Sequence, residues 1–176
     1  MENQPFIRSA LRFGLLTGGV IVVWDLILYI TGLHTNQALG YLSLILLVGG
    51  MFLANRDYLT INRGNMSFGT GFKIGFVVAS IAGALSSVFV AVYMSINPHL
   101  IEESLEVARL EMEKNPQMTP EVIDQAMEMT AKFMTPPAIA GIGFLSLVFL
   151  GAILALVVAA IMKKDSGNAG VEEIGG

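Results

Sequence analysis

Four uninterrupted apolar runs, each long enough to cross a bilayer as a helix, govern what this chain can become. A hydrocarbon layer about 30 Å thick takes roughly 20 helical residues at about 1.5 Å each. Runs at about 13–31, 33–54, 72–97 and 137–162 meet that length. The first carries one charge, Asp25; the third is uncharged from Ile74 to Ile96, and the second and fourth carry none. In lipid every backbone group must be bonded within its own segment, so such runs form helices. A membrane barrel needs alternating segments of about 10 residues, and these are absent.

Composition agrees. The chain is 54% hydrophobic and only 14% charged, where a soluble domain carries about 25% charge. Mean hydropathy is +0.68. With no cysteine, a disulfide scaffold and a thiolate metal site are excluded. The expected fold is all-α: a single polytopic membrane domain of four transmembrane helices, with an external αα-hairpin between the third and fourth. Arg8 and Arg12 before the first run imitate a signal-peptide leader. The run is too long for one, however, and no A-x-A-type site follows, so it reads as a retained anchor.

Basic residues set the expected orientation. Arg8, Arg12, Arg56, Arg63, Lys73, Lys163 and Lys164 fall on the side of the termini. Only Arg109, Lys114 and Lys132 fall on the other, within a segment holding eight acidic residues. The positive-inside rule then places both termini in the cytoplasm.

The segment 98–135 reads as the external hairpin. Asn97-Pro98 has the chemistry of a helix start, a capping residue followed by proline at the first position. Ile101, Leu105, Ala108 and Met112 follow at helical spacing. Asn115-Pro116 interrupts, and Thr119-Pro120-Glu121 opens a second helix whose face is Ile123, Ala126, Met127, Thr130 and Met134. Pro136-Pro137 ends it. On the cytoplasmic side, Arg63-Gly64-Asn65 is a turn signal and Ser67 a cap for the third span. The Gly-rich tail 165–176 is expected to be flexible and cytoplasmic.

Three groups of residues carry the functional reading. Asp25 is an intramembrane carboxylate, and such groups are proton relays, ion ligands or structural polar contacts. Tyr29, one turn on, is its expected partner, with Ser87 and Tyr93 at similar depth. The second group is a row at intervals of four: Gly71, Gly75, Ala79, Gly83, Ser87, Ala91 and Ser95. Small residues so spaced let helix backbones approach closely; a pore lining is the alternative. Because a four-residue step drifts about 40° on a 3.6-residue helix, the row is expected to wrap and to meet more than one neighbour. Gly14 and Gly18 on the first span, and Gly151, Ala155 and Ala159 on the fourth, offer matching grooves.

The third group is polar and external. His34, His99, Glu102 and Glu103 have donor types that suit a divalent ion, but the same pairs are common on solvated helix faces, and no metal site is assigned. Met112, Met118, Met127, Met129 and Met134 suit the hairpin seam or an adaptable binding surface. No P-loop, dinucleotide fingerprint, HExxH motif or Ser/His/Asp set is present. The net charge of −4, with its acidity concentrated externally, argues against nucleic-acid binding. No cofactor is expected.

The order of features resembles a family of bacterial integral membrane proteins known as domain of unknown function 4199. The resemblance rests on the basic opening of the first span, on Arg56…Arg63-Gly64-Asn65, and on Met66-Ser67-Phe68-Gly69-Thr70-Gly71-Phe72-Lys73 leading into the third span. It continues through Asn97-Pro98, the acidic hairpin and the last span, and covers roughly residues 5 to 164. It implies a bacterial inner-membrane location and carries no assigned activity or catalytic residue. The leading expectation is a non-enzymatic accessory or scaffold subunit whose hairpin meets a protein partner, or which self-associates, in the lipid bilayer. The alternative is a small oligomeric proton- or ion-coupled transporter or channel using Asp25.

Overall fold

A computed structural model describes residues 3–164. The tail 165–176, expected to be flexible, lies outside the described residues. Six helices follow in order: α1 Asn3–Ile30, α2 Gln37–Ile61, α3 Phe68–Ile96, α4 His99–Glu113, α5 Pro120–Phe133 and α6 Pro136–Met162. Four of them (α1, α2, α3 and α6) are long and apolar enough to cross a membrane.

Local chemistry fixes the helix ends, and several differ from the hydropathy reading: α1 starts at Asn3 rather than about 13, α3 at Phe68 rather than about 72, and both ends of α2 move. The second span was expected at 33–54, but α2 starts at Gln37. Gly32, at φ +70°, closes α1 in a left-handed cap, with Leu33 N–H bonded to Leu28 O at 2.9 Å. Asn36 then caps α2, its side-chain oxygen accepting from the N–H groups of Ala38 and Leu39. At the far end α2 runs on through Arg56 and Asp57 to Ile61. Charge ends the apolar stretch but does not end a helix. Arg63 (φ 54°) and Gly64 (φ 83°) make the turn, with Gly64 N–H donating to Leu59 O at 2.8 Å.

Ser67 caps α3 by accepting from Thr70 N–H at 3.2 Å. Asn97 was expected to start α4, yet it serves α3 instead. Its backbone N–H and its Nδ2 both donate to Tyr93 O, each at 3.0 Å. Pro98 becomes the α4 cap with no side-chain bond. α5 begins as expected with Thr119 extended and Pro120 in the first turn, Glu121 beside it and Lys132 in the last turn. These charges suit the helix dipole. A two-way backbone pair between Met66 and Lys164, both bonds 3.0 Å, clips the α2–α3 turn to the end of α6.

α3 is the central post: α6 and α1 pack along it, and α2 closes the bundle against α1, α3 and α6. The main core joins Ile21, Leu47, Met51, Ala54, Tyr58, Met66, Ile74, Val78, Ala79, Ala82, Ala155 and Val158. The outward faces stay apolar, with Leu145, Phe149 and Ile161 about 70% exposed. A soluble monomer does not present such continuous apolar faces; lipid covers them, and the chain is a polytopic membrane protein.

α4 and α5 pack on each other and touch the spanning helices only sparsely. Their facing residues follow the helical pattern. Ile101, Leu105, Ala108 and Met112 are half-buried on α4, and Ile123 is buried on α5, flanked by half-buried Ala126, Met127, Thr130 and Met134. Arg109 bridges the pair, donating to Asp124 at 2.8 Å and to Glu113 at 3.1 Å. Both carboxylates hold its guanidinium proton more firmly than usual, the Glu113 hydrogen bond above all.

Candidate functional site

Three spanning helices converge on the Asp25 carboxylate. Ser86 of α3 donates to Oδ2 at 2.8 Å, and Ser43 of α2 donates to Oδ1 at 3.4 Å. One residue earlier on α1, the Trp24 indole N–H donates to Leu39 O of α2 at 3.2 Å. The expected partners were Tyr29, Ser87 and Tyr93. None of them bonds to Asp25 among the described residues.

The correction has a geometric cause. On α3, the residues Ala82, Ser86, Phe89 and Tyr93 are spaced 4-3-4 and form the stripe turned to α1. Ser87 is rotated one position further and lies with Ala84, Val88, Ala91, Ala140, Gly141 and Phe144 in a shallow groove between α3 and α6. On α2, Ser43 extends the inward stripe Leu47, Met51, Ala54 and Tyr58 by one turn. These two stripes, one on α3 and one on α2, are the signals by which Ser86 and Ser43 could have been found.

Tyr29 belongs to an aromatic stack rather than to the carboxylate. Its ring lies 4.8 Å from that of Tyr93, 6.2 Å from that of Phe89 and 5.0 Å from the imidazole of His34. The Asp25 centre and this stack occupy the hairpin end of the bundle. At the opposite end Ser9, fully buried, donates to Asp57 Oδ2 at 2.8 Å and ties α1 to α2. Asn55, also fully buried, donates from Nδ2 to Met51 O at 2.9 Å.

The small-residue row makes one continuous seam with α6. A Cβ on Gly71 would stand 3.2 Å from Cβ of Ala159, one on Gly75 would stand 2.8 Å from Cβ of Ala155, and one on Gly83 would stand 3.0 Å from Leu147. A Cβ on Gly151 would overlap that of Ala79. Gly71 and Gly75 also face α2, their would-be Cβ atoms 3.3 Å from Asn55 Oδ1 and 3.7 Å from Met51 Sδ, so the row meets two neighbours while keeping α6 along its length from Gly71 to Gly83. Rows of residues four apart incline about 26° to the helix axis, and a partner helix crossing obliquely follows such a row instead of losing it.

α1 meets a different face of α3. A Cβ on Gly14 would stand 2.8 Å from Ile81, and one on Gly18 would stand 2.7 Å from Leu85 and 3.0 Å from the Ala82 backbone. The Gly14–Gly18 groove thus receives branched side chains and does not pair with the row. α2 joins α1 where Gly50 is pressed against the Thr17 side chain.

The hydroxyl–carboxylate arrangement can hold a proton or a cation, or simply pin three helices together. No cluster of three or more His, Asp or Glu side chains able to hold a metal is found among the described residues. His34 and Glu103 approach to 3.9 Å, while His99 and Glu102 stay exposed on α4.

A family model described as "Protein of unknown function (DUF4199)" matches residues 12–164. No curated protein and no solved structure matches the chain.

Proposed function

This chain belongs to the DUF4199 family of proteins of unknown function, and on that premise we propose that it is a non-enzymatic membrane subunit that offers its α4–α5 hairpin to a protein partner. The observation that carries this reading is the hairpin's independence. It has its own seam and its own ion pair, it touches the spanning helices sparsely, and it leaves Leu110, Met129 and Phe133 exposed at 51%, 64% and 61% on an acidic module. Met129 and Phe133 line an apolar groove with Ile139 and Ile142 of α6, and exposed apolar side chains gathered in this way are the usual anatomy of a contact surface. The test is purification in mild detergent of the full chain and of a Leu110→Ser/Met129→Ser/Phe133→Ser variant. A co-purifying protein that the variant loses supports the reading. Recovery of the chain alone, or capture unchanged by the variant, defeats it.

The resemblance implies a bacterial inner membrane, and the distribution of basic residues supports an orientation with both termini in the cytoplasm. With no native cysteine, Gln117→Cys and Lys163→Cys report sidedness through an impermeant maleimide. Labelling of the first alone in spheroplasts fits this orientation, and labelling of the second alone reverses it.

The convergence of Ser43 and Ser86 on Asp25 favours a second reading, in which oligomers pass protons or cations beside this carboxylate. Flux into proteoliposomes that falls severalfold with Asp25→Asn supports it. Equal flux in both, or none in either, removes Asp25 from any transport step.

A further inference from the structure

His34 lies in the loop 31–36 between α1 and α2, and its side chain is only 9% exposed. The ring is stacked on Tyr29 of α1, the planes 20° apart, and Tyr29 rests in turn on Tyr93 of α3. Among the described residues neither imidazole nitrogen has a hydrogen-bond partner. A buried polar group without a partner is disfavoured, and one about to gain a partner is a place where a small event changes a contact. The nearest opposite group is the Glu103 carboxylate of α4, its Oε2 3.9 Å from Nε2.

On α1 the other charged group on this side is Asp25, one turn before Tyr29 and bonded to Ser43 and Ser86. Tyr29 is the ionisable group in ring contact, and Tyr93 stands behind it on α3. The first two turns of α2 hold no charged residue. On α4 the remaining ionisable residues of the first two turns are His99, Glu102 and Glu106, all exposed.

We propose that His34 and Glu103 form a proton-operated latch that fixes the hairpin to the bundle. When His34 is neutral its nitrogens make no bond across the gap. When it takes up a proton both nitrogens become donors and the ring becomes a cation. The attraction then closes the 3.9 Å separation to a charge-assisted hydrogen bond. The aromatic stack beneath holds the ring in place, so α4 moves to the histidine and not the reverse. Histidine is the side chain most readily switched between neutral and charged forms, so the protonated ring holds the hairpin and the neutral ring releases it. The latch stands on loop–hairpin geometry and does not depend on whether the hairpin has a partner.

Because the chain has no cysteine, spin labels at Tyr41→Cys of α2 and Glu106→Cys of α4 are the only ones attached. Their separation is measured by double electron–electron resonance on the full chain in lipid nanodiscs at pH 5.0 and pH 8.0. The expected result is a single narrow distance in acid that broadens and lengthens at pH 8.0. Both His34→Gln and Glu103→Gln should give the broad distribution at both pH values. Glu103 is half-exposed, so its variant folds even if replacing the buried histidine does not. A distribution that is independent of pH in the parent chain, or a shift that survives Glu103→Gln, overturns the latch.

Discussion

Gly75→Ala is the perturbation for which the structure gives the firmest magnitude. The added Cβ would stand 2.8 Å from Cβ of Ala155 and 3.2 Å from its Cα. Carbon atoms pack comfortably at about 3.5–4.0 Å, so α3 and α6 must part by roughly 0.5–1 Å, enough to forfeit about a quarter to a half of each neighbouring dispersion contact. The obstacle is the Cβ and Cα of an alanine, which cannot turn away as a flexible side chain would. Overpacking of this kind costs ~1–3 kcal/mol, while alanine gains ~1 kcal/mol over glycine as a helix former. A net loss of about 1 kcal/mol is expected. Gly49, on the outer face of α2, has nothing within 4 Å of its would-be Cβ. Gly49→Ala should therefore stabilise by ~0.4–1 kcal/mol. Titration with sodium dodecyl sulfate in mixed micelles, or steric trapping in lipid, ranks the two against the parent. The pair should differ in sign. If Gly75→Ala proves as stable as Gly49→Ala, the α3–α6 seam is not as close as described, and the packing argument fails.

Further outcomes follow from named contacts. Arg63→Gly should raise stability by ~1 kcal/mol, since Arg63 occupies φ 54° where an L side chain is strained; the same detergent titration reads it. Ser9→Ala removes a donor to Asp57 from a fully buried position and should cost about 1–2 kcal/mol; a loss of less than a few tenths would show that the bond contributes nothing. Asp25→Ala leaves the Ser43 and Ser86 hydroxyls without their acceptor and should destabilise by ~1–3 kcal/mol. Asp25→Asn, which keeps an acceptor oxygen, should cost less, and the reverse order would refute a structural role for these bonds.

Much of the fold was legible because lipid imposes a blunt rule: apolar length specifies a spanning helix, and four such lengths are present. The hairpin was legible too, since Ile101 to Met112 and Ile123 to Met134 keep the helical spacing through charged surroundings. Hydropathy could not find where α2 begins and ends. Asn36 decides the start by capping, and Arg56 and Asp57 ride on the helix after it has left the apolar layer. The Asp25 centre was half legible. A lone carboxylate in a span is conspicuous, but its partners depend on helix rotation, which separates Ser86 from Ser87 by about 100°. The direction of the small-residue row depends on an interhelical crossing that a single helix does not encode.

The chain has one tryptophan, and its indole is already bonded across the α1–α2 interface to Leu39 O, next door to Asp25. Excited to the red of tyrosine absorption, the chain therefore emits from a single, known place. Cation entry, proton uptake or a change of lipid around that carboxylate can be followed optically, in real time, without attaching a dye. Nature has wired a lamp beside the most provocative charge in the molecule.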